Sequence, residues 1–363
     1  MNKQLIVIIG AGPAGLSAAI EGAKAGAKVL IIDENKKPGG QLFKQIHKFF
    51  GSKEHKAGTR GINIGVQLLE EAKTLDIEVW LNTVVCGIDE NKTIWAIRDK
   101  KDSVTIKADK IILATGAIEN AVMFPGWTLP GVMGAGASQT MINLHRTLPG
   151  KKVLMLGSGN VGVIVCYQLM QAGADVVGIV EAAPQLGGYG VHTAKVRRAG
   201  VPFYTSHTIS RAIGENCVEA VEIVAVDSSF KPIKGTEEIL EVDTICIAAG
   251  LTPLTELAWI AGCKFVYIPE LGGHITIHDR TMETTVEGVY VAGDISGVEE
   301  ASTAMEEGRL AGINAAATLG FYNKSEQAER TQMVWDGLDA LRCGTFGQKS
   351  KNAKDRILAS QEV

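Results

Sequence analysis

The sequence predicts an α/β fold of two doubly wound, three-layer domains, one inserted in the other. Three observations predict it: a glycine-rich turn that occurs twice, a second apolar run ending in an acid at a matching distance beyond each copy, and a further strand ending in a small-residue turn in each half. Comparing the chain with itself aligns LIVIIGAGPAG at 5–15 with KVLMLGSGNVG at 152–162. Each is an apolar run feeding G-x-G-x-x-G and then a helical stretch, the pattern of a buried parallel strand turning into a helix. A length of 363 residues leaves room for two such domains. Glycine supplies 42 of those residues without any G-X-Y period, so the excess belongs in tight turns and close backbone approaches.

The elements follow in order. In the first copy Gly10 makes the tight turn, Gly12 lets backbone approach a pyrophosphate, and Gly15 lets helix and strand pack closely. Pro13 and Ala14 open the helix, whose N-terminal N–H groups and dipole favour phosphate. The next apolar run, KVLIID, closes on Asp33, 18 residues after Gly15, with Glu34 beside it. A carboxylate there suits the hydroxyls of an adenosine ribose. PGGQ at 38–41 comes next, then an aromatic and basic insert at 42–60 whose His47 and His55 read as surface residues. IILATGA at 111–117 sets Ala114, Thr115 and Gly116 in a turn at a strand end. In the second copy Gly157, Gly159 and Gly162 repeat the turn, with Asn160 and Val161 opening the helix. VVGIVE then closes on Glu181, 19 residues after Gly162, and ICIAAGLTP at 245–253 sets Gly250 in the matching turn. No Arg stands near Glu181, and Lys195, Arg197 and Arg198 read as a solvated helix face, which favours NAD(H) over NADP(H). GVYVAGD at 288–294 ends on Gly293 and Asp294 and leads into a helix with Ala301, Ala304, Gly308, Ala311, Gly312 and Ala315 on one small face. The tail at 324–363 has a short apolar face, Met333, Val334, Trp335, Leu338 and Leu341, able to dock on its own body or on another chain.

Composition narrows the function classes. With 36 Lys plus Arg against 40 Asp plus Glu, the chain offers no broad cationic face, so nucleic acid is not an expected partner. Cysteines at 86, 166, 217, 246, 263 and 343 show no C-x-x-C spacing, which suits a reducing compartment and a cytoplasmic location. No metal site is expected: His274 and His278 fall in GGHITIHDR, whose alternation reads as strand. The uncharged stretches 120–145 and 153–174 are broken by proline or glycine, so no membrane span is expected, and the N-terminal apolar run reads as a strand rather than a signal segment.

Taken in this order, GAGPAG with Asp33, PGGQ, ATGA, GSGNVG and GVYVAGD resemble the two-dinucleotide flavoproteins of the pyridine nucleotide-disulfide oxidoreductase superfamily, in the short form typified by thioredoxin reductase. The resemblance covers roughly residues 1–320. It implies an FAD domain at 1–119 plus 251–323, an inserted NAD(H) domain at 120–250, and the tail at 324–363. It also implies that Asp294 bonds the ribityl chain of FAD, that Gly39, Gly40 and Gln41 approach the flavin ring, and that the helix beginning near Ala301 points its positive end at the flavin pyrimidine. The chain departs from thioredoxin reductase in lacking the redox C-x-x-C; the corresponding region reads FPGWTLPGVMGAGASQT at 124–140. Dithiol exchange needs an attacking thiolate and a resolving partner, so disulfide reduction is not expected.

PGWTLPGV is instead similar to the FAD/NAD-type A or alpha subunits of opine oxidase, hydrogen cyanide synthase, sarcosine oxidase and dye-linked proline dehydrogenase. Some of those carry a cysteine-rich iron–sulfur region, whereas only Cys343 lies beyond residue 263 here, too few for a four-ligand cluster. The resemblance thus implies an enzyme passing electrons between NAD(H) and FAD, with the flavin itself as the catalytic group. It would work as one component of a heteromeric amine or amino-acid dehydrogenase beside a second flavoprotein subunit. Two alternatives stand beside this: a free-standing homodimeric NADH:acceptor oxidoreductase, and a non-catalytic nucleotide-binding scaffold.

Overall fold

The structure is a computed structural model that describes residues 4–49 and 52–360, with backbone only for residues 345 and 346. The chain divides into two units, Met1–Ile118 with Thr252–Val363, and Glu119–Leu251. Two short strands, Ala117–Glu119 and Leu251–Pro253, carry the chain between them.

The first unit is built on a five-stranded parallel sheet in the order Val289–Val291, Lys110–Leu113, Leu5–Ile9, Lys28–Ile32, Glu78–Trp80. Its strands are apolar on both faces, as a sheet covered on both sides requires. Successive side chains alternate. Ile6, Ile8, Ile31 and Ile112 face a helical layer holding Leu16 and Ile20 of Pro13–Lys24 and Leu310 and Ile313 of Ala301–Thr318. Val7, Ile9, Leu30, Ile32 and Leu113 face the other way, towards Ile88, Ile94, Ala96 and Ile106. Those last residues belong to an antiparallel sheet, Thr83–Ile88, Thr93–Arg98 and Asp102–Lys107, so the third layer on this side is a β-meander rather than helices.

The helices Pro13–Lys24 and Ala301–Thr318 cross closely because the second presents glycine to the first. A Cβ on Gly308 would lie 2.1 Å from the Ala14 carbonyl oxygen, and one on Gly312 would lie 2.3 Å from that of Ala18. The small-residue face read from the sequence is this crossing.

The segment set apart as a tail is part of the first unit. It forms the helices Lys324–Leu341 and Gly344–Ala359, the first opened by a capping box between Asn323 and Glu326. Val334, Trp335 and Leu338 lie buried in the unit's own core, while Ala353 and Ile357 pack on Ile268, Leu271 and Ile275. Its apolar face is therefore taken up within the chain, and only Met333 of that face projects strongly into solvent. His55, expected at the surface, is buried as well; its Nδ1 lies 2.9 Å from Ser52 Oγ, and Gly337 of the tail covers its Nε2.

The second unit repeats the plan. Its parallel sheet runs Phe203–Thr205, Asp175–Glu181, Lys152–Leu156, Thr244–Ile247, Val132–Gly134. Ala135–Asn143, Asn160–Gln171 and Gly190–Arg198 cover one face. The antiparallel sheet His207–Ile213, Ala220–Ala225, Glu238–Glu241 covers the other. Among the described residues no helix is long and apolar enough to cross a membrane.

Candidate functional site

Each unit carries a glycine loop at the carboxyl end of the central strand of its parallel sheet, and the two loops match residue by residue. Gly10 and Gly157 have φ of 109° and 103°, so both need glycine for the turn itself. A Cβ on either would also strike the neighbouring strand end, 2.2 Å from the Ala114 carbonyl oxygen and 2.3 Å from that of Ala248. Gly15 and Gly162 need glycine for packing: a Cβ would sit 1.9 Å from Gly10 O and 2.2 Å from Gly157 O.

The middle glycines are different. Gly12 has φ −74° and ψ −174°, Gly159 has φ −63° and ψ 173°, both open to any L-residue, and among the described residues a Cβ on either meets no atom beyond its chain neighbours within 4 Å. Neither backbone conformation nor protein packing asks for glycine there. Both are the N-caps of helices that no side chain caps, Pro13–Lys24 and Asn160–Gln171, so the loop leaves its N-terminal donors and the space in front of them to something other than protein. The residues present thus fit a pyrophosphate in each unit.

The acids hold these loops in place. Asp33, buried, accepts the Ala11 N–H on Oδ2 at 2.6 Å and the Asn35 N–H and Nδ2 on Oδ1 at 2.8 and 2.9 Å. Glu181 accepts the Ser158 N–H and hydroxyl on Oε2 at 3.0 and 2.6 Å and the Ala183 N–H on Oε1 at 2.9 Å. In each copy the acid therefore ties the residue after the first glycine to the residue two positions beyond itself. A carboxylate offers about four acceptor sites, and three bonds on each leave one for a ligand hydroxyl. Glu34 is exposed.

A second glycine pair leans on each loop. Gly39 donates its N–H to Ala11 O at 2.7 Å, and a Cβ on Gly40 would lie 2.9 Å from Gly12 Cα. Gln41 follows in an exposed position of the 3-10 turn Gly40–Lys44. In the other unit Gly187 donates to Ser158 Oγ at 2.9 Å, a Cβ on Gly188 would lie 2.8 Å from Ser158 O, and the Tyr189 N–H reaches Asn160 Oδ1 at 2.8 Å. The sequence reading singled out Gly39 and Gly40 but missed Gly187 and Gly188. Their signal is spacing: Gly39 follows Asp33 by six positions, and Gly187 follows Glu181 by six.

The remaining candidates divide. Ala114 packs under Gly10, and Gly293, with φ 78°, packs on Ala14, so both belong to the first loop. Asp294 occupies the short turn Gly293–Ser296 that follows the strand Val289–Val291. Burial pushes its carboxyl up to about 6, against a Glu299 backbone hydrogen bond that works the other way. Ala301 opens the helix that follows, with Glu300 as its N-cap. Thr115 and Gly116 hold the returning chain: Thr115 Oγ1 donates to Leu254 O at 2.6 Å, and Leu254 N–H donates to Gly116 O at 2.9 Å. Gly250 accepts the Asn120 N–H at 3.1 Å in the same manner. Val161 is exposed on the first turn of its helix.

All six cysteines are free thiols, with Cys166, Cys246 and Cys263 buried and Cys86, Cys217 and Cys343 exposed. Burial pushes Cys246 up to about 11 and holds Cys166 well above the ordinary thiol range, the reverse of what an attacking thiolate needs. Lys195 and Arg197 lie over the rings of Tyr167 and Phe203. Among the described residues no group of three or more His, Cys, Asp or Glu side chains could hold a metal ion.

Residues 4–308 match the family model described as pyridine nucleotide-disulphide oxidoreductase. The A subunit of opine oxidase from Rhizobium meliloti is 28% identical over 352 residues, which cover 90% of this chain and 65% of that one. The HcnB subunit of hydrogen cyanide synthase from Pseudomonas protegens is 26% identical over 345 residues, 90% of this chain and 73% of that one. The chain thus spans just under two thirds of the length of the opine oxidase polypeptide it matches. Among solved structures, thioredoxin reductase of T. acidophilum superposes with a TM-score of 0.72 at 21% identity, covering 86% of this chain and 98% of that one, which is a likeness of fold.

Proposed function

The chain belongs to the pyridine nucleotide-disulphide oxidoreductase family and is a flavin-dependent oxidoreductase, and from that premise we propose that it passes electrons between NAD(H) held by the second unit and FAD held by the first. We place it as one component of a heteromeric amine- or amino-acid-oxidising enzyme. The observation that carries the nucleotide reading is the pair Gly12 and Gly159, glycines that face open space where neither the backbone angles nor protein packing require glycine.

Bound FAD would supply an acceptor for a hydride or for single electrons; the protein supplies place and field. Gly12 and the N-terminus of Pro13–Lys24 would take the FAD pyrophosphate, and the free acceptor site of Asp33 an adenosine ribose hydroxyl. Asp294 would accept from a ribityl hydroxyl, and Gly39 and Gly40 would let backbone approach the ring. Gly159 and Glu181 would do for NAD(H) what Gly12 and Asp33 do for FAD. Glu181 would repel a 2′-phosphate, and Lys195 and Arg197 are engaged with aromatic rings, which supports NAD(H) over NADP(H).

The heteromer reading rests on the relatives, which are named as subunits of opine oxidase and hydrogen cyanide synthase. Its test is the mass of the complex isolated from the native host, read with amine-dependent dye reduction. A stable second chain, with amine oxidation absent from this chain alone, supports it. A homo-oligomer that turns over an amine unaided refutes it.

A further inference from the structure

The mechanism leaves unused a cluster of four buried charges behind the turn that carries Asp294. Glu307, from the helix Ala301–Thr318, accepts the Gly293 N–H at 3.1 Å and the Ser296 hydroxyl at 2.7 Å on Oε2. Its other oxygen faces Lys354 Nζ at 2.7 Å and Arg342 Nη2 at 2.6 Å. Arg342 also grips Glu299, Nε to Oε1 at 3.1 Å and Nη2 to Oε2 at 2.5 Å. Lys354 reaches Ser296 O at 2.9 Å, Ser296 Oγ at 3.1 Å and Glu299 at 3.5 Å. The side chains of all four are 7% exposed or less.

Both cations come from the last two helices: Arg342 caps the end of Lys324–Leu341, and Lys354 lies within Gly344–Ala359. Without them, Glu299 and Glu307 would be two buried carboxylates within reach of one nitrogen position, an arrangement that forces one to take a proton or swing away. Burial alone would raise the Glu307 pKa, but Lys354 and Arg342 outweigh it and hold the carboxyl well below the usual range. An ionised Glu307 in this place is what fastens both ends of the Gly293–Ser296 turn.

We propose that Arg342 and Lys354 are positioning residues for the flavin: acting through Glu307, they fix the Gly293–Ser296 turn, so that FAD retention depends on the two C-terminal helices. This rests on the reading of the first unit as the FAD site. The experiment is fluorescence titration of flavin-free protein with FAD, alongside thermal unfolding. Lys354→Met should weaken FAD binding at least tenfold, and Lys354→Arg, which restores a cation, should recover most of the loss. The control is Lys351→Met, which breaks the exposed Lys351–Asp339 ion pair between the same two helices without touching the turn, and should bind FAD as the parent does. If Lys354→Met does not fold, Arg342→Lys carries the test, since it keeps a cation but loses the two-pronged grip on Glu299, and should weaken FAD binding severalfold. A folded Lys354→Met or Arg342→Lys with parental FAD affinity overturns the proposal alone. A parent protein that binds no FAD overturns the site reading and the proposal with it.

Discussion

Replacing Asp294 with Asn should make the flavin-free protein more stable and the flavin-bound protein looser. Burial raises the Asp294 carboxyl from 3.8 to about 6, with Glu307 and Glu299 adding to the rise and Lys354 opposing it. A folded-state pKa above the unfolded one means that the native state holds this proton more tightly. Stability therefore falls as pH rises from 3.8 to about 6 and is level above it. The gap corresponds to about 3 kcal/mol of destabilisation at neutral pH, the cost of keeping an ionised carboxylate in that turn. Asn carries no charge and can still accept the Glu299 backbone bond. Calorimetry of the flavin-free variant should then show a gain of up to about 3 kcal/mol near pH 7.5, shrinking as the pH is lowered through the wild-type transition. In the loaded protein, losing a charge-assisted bond to a ribityl hydroxyl should cost about 1.5 to 3 kcal/mol, or roughly 10- to 150-fold in FAD affinity. A variant that is no more stable than wild type at neutral pH, or that binds FAD as tightly, would refute this reasoning.

Three further outcomes are expected. Gly12→Ala should cost flavin-free stability no more than about 1 kcal/mol, the loss of a glycine N-cap, because among the described residues its Cβ meets nothing beyond its chain neighbours, while FAD affinity drops at least tenfold; Gly159→Ala should do the same to NADH binding. Gly15→Ala, whose Cβ would lie 1.9 Å from Gly10 O, should instead cost about 3 kcal/mol or more in thermal unfolding, and equal effects at positions 12 and 15 would count against a ligand at Gly12. Replacing all six cysteines, by Ser where exposed and Ala where buried, should leave NADH-dependent dye reduction largely intact, and its loss in a folded variant would point to thiol chemistry.

Much of the fold was legible because the information is local. A strand end, three glycines and an acid lie within about thirty residues, and each glycine's place in G-x-G-x-x-G matches a separate physical demand at the strand–helix turn. The acids were legible in position but not in their partners: nothing in the pattern shows that Asp33 spends most of its acceptor capacity on Ala11 and Asn35, and Glu181 on Ser158 and Ala183. Gly187 and Gly188 were legible and overlooked, since their spacing from Glu181 repeats that of Gly39 and Gly40 from Asp33. The network of Arg342 and Lys354 with Glu299 and Glu307 was not legible. Its members are separated by up to 55 positions, and no periodicity announces which buried acid a distant cation will meet. The same holds for His55, which is buried with Gly337 of a helix far along the chain beside its ring.

The central claim is that electrons pass between a nicotinamide nucleotide and a flavin on this one chain. Anaerobic stopped-flow mixing of the FAD-loaded protein with NADH, followed at the flavin absorbance band, tests it most directly. Rapid bleaching by NADH, with NADPH much slower, is the result predicted. A flavin that stays oxidised in the presence of NADH would contradict the account.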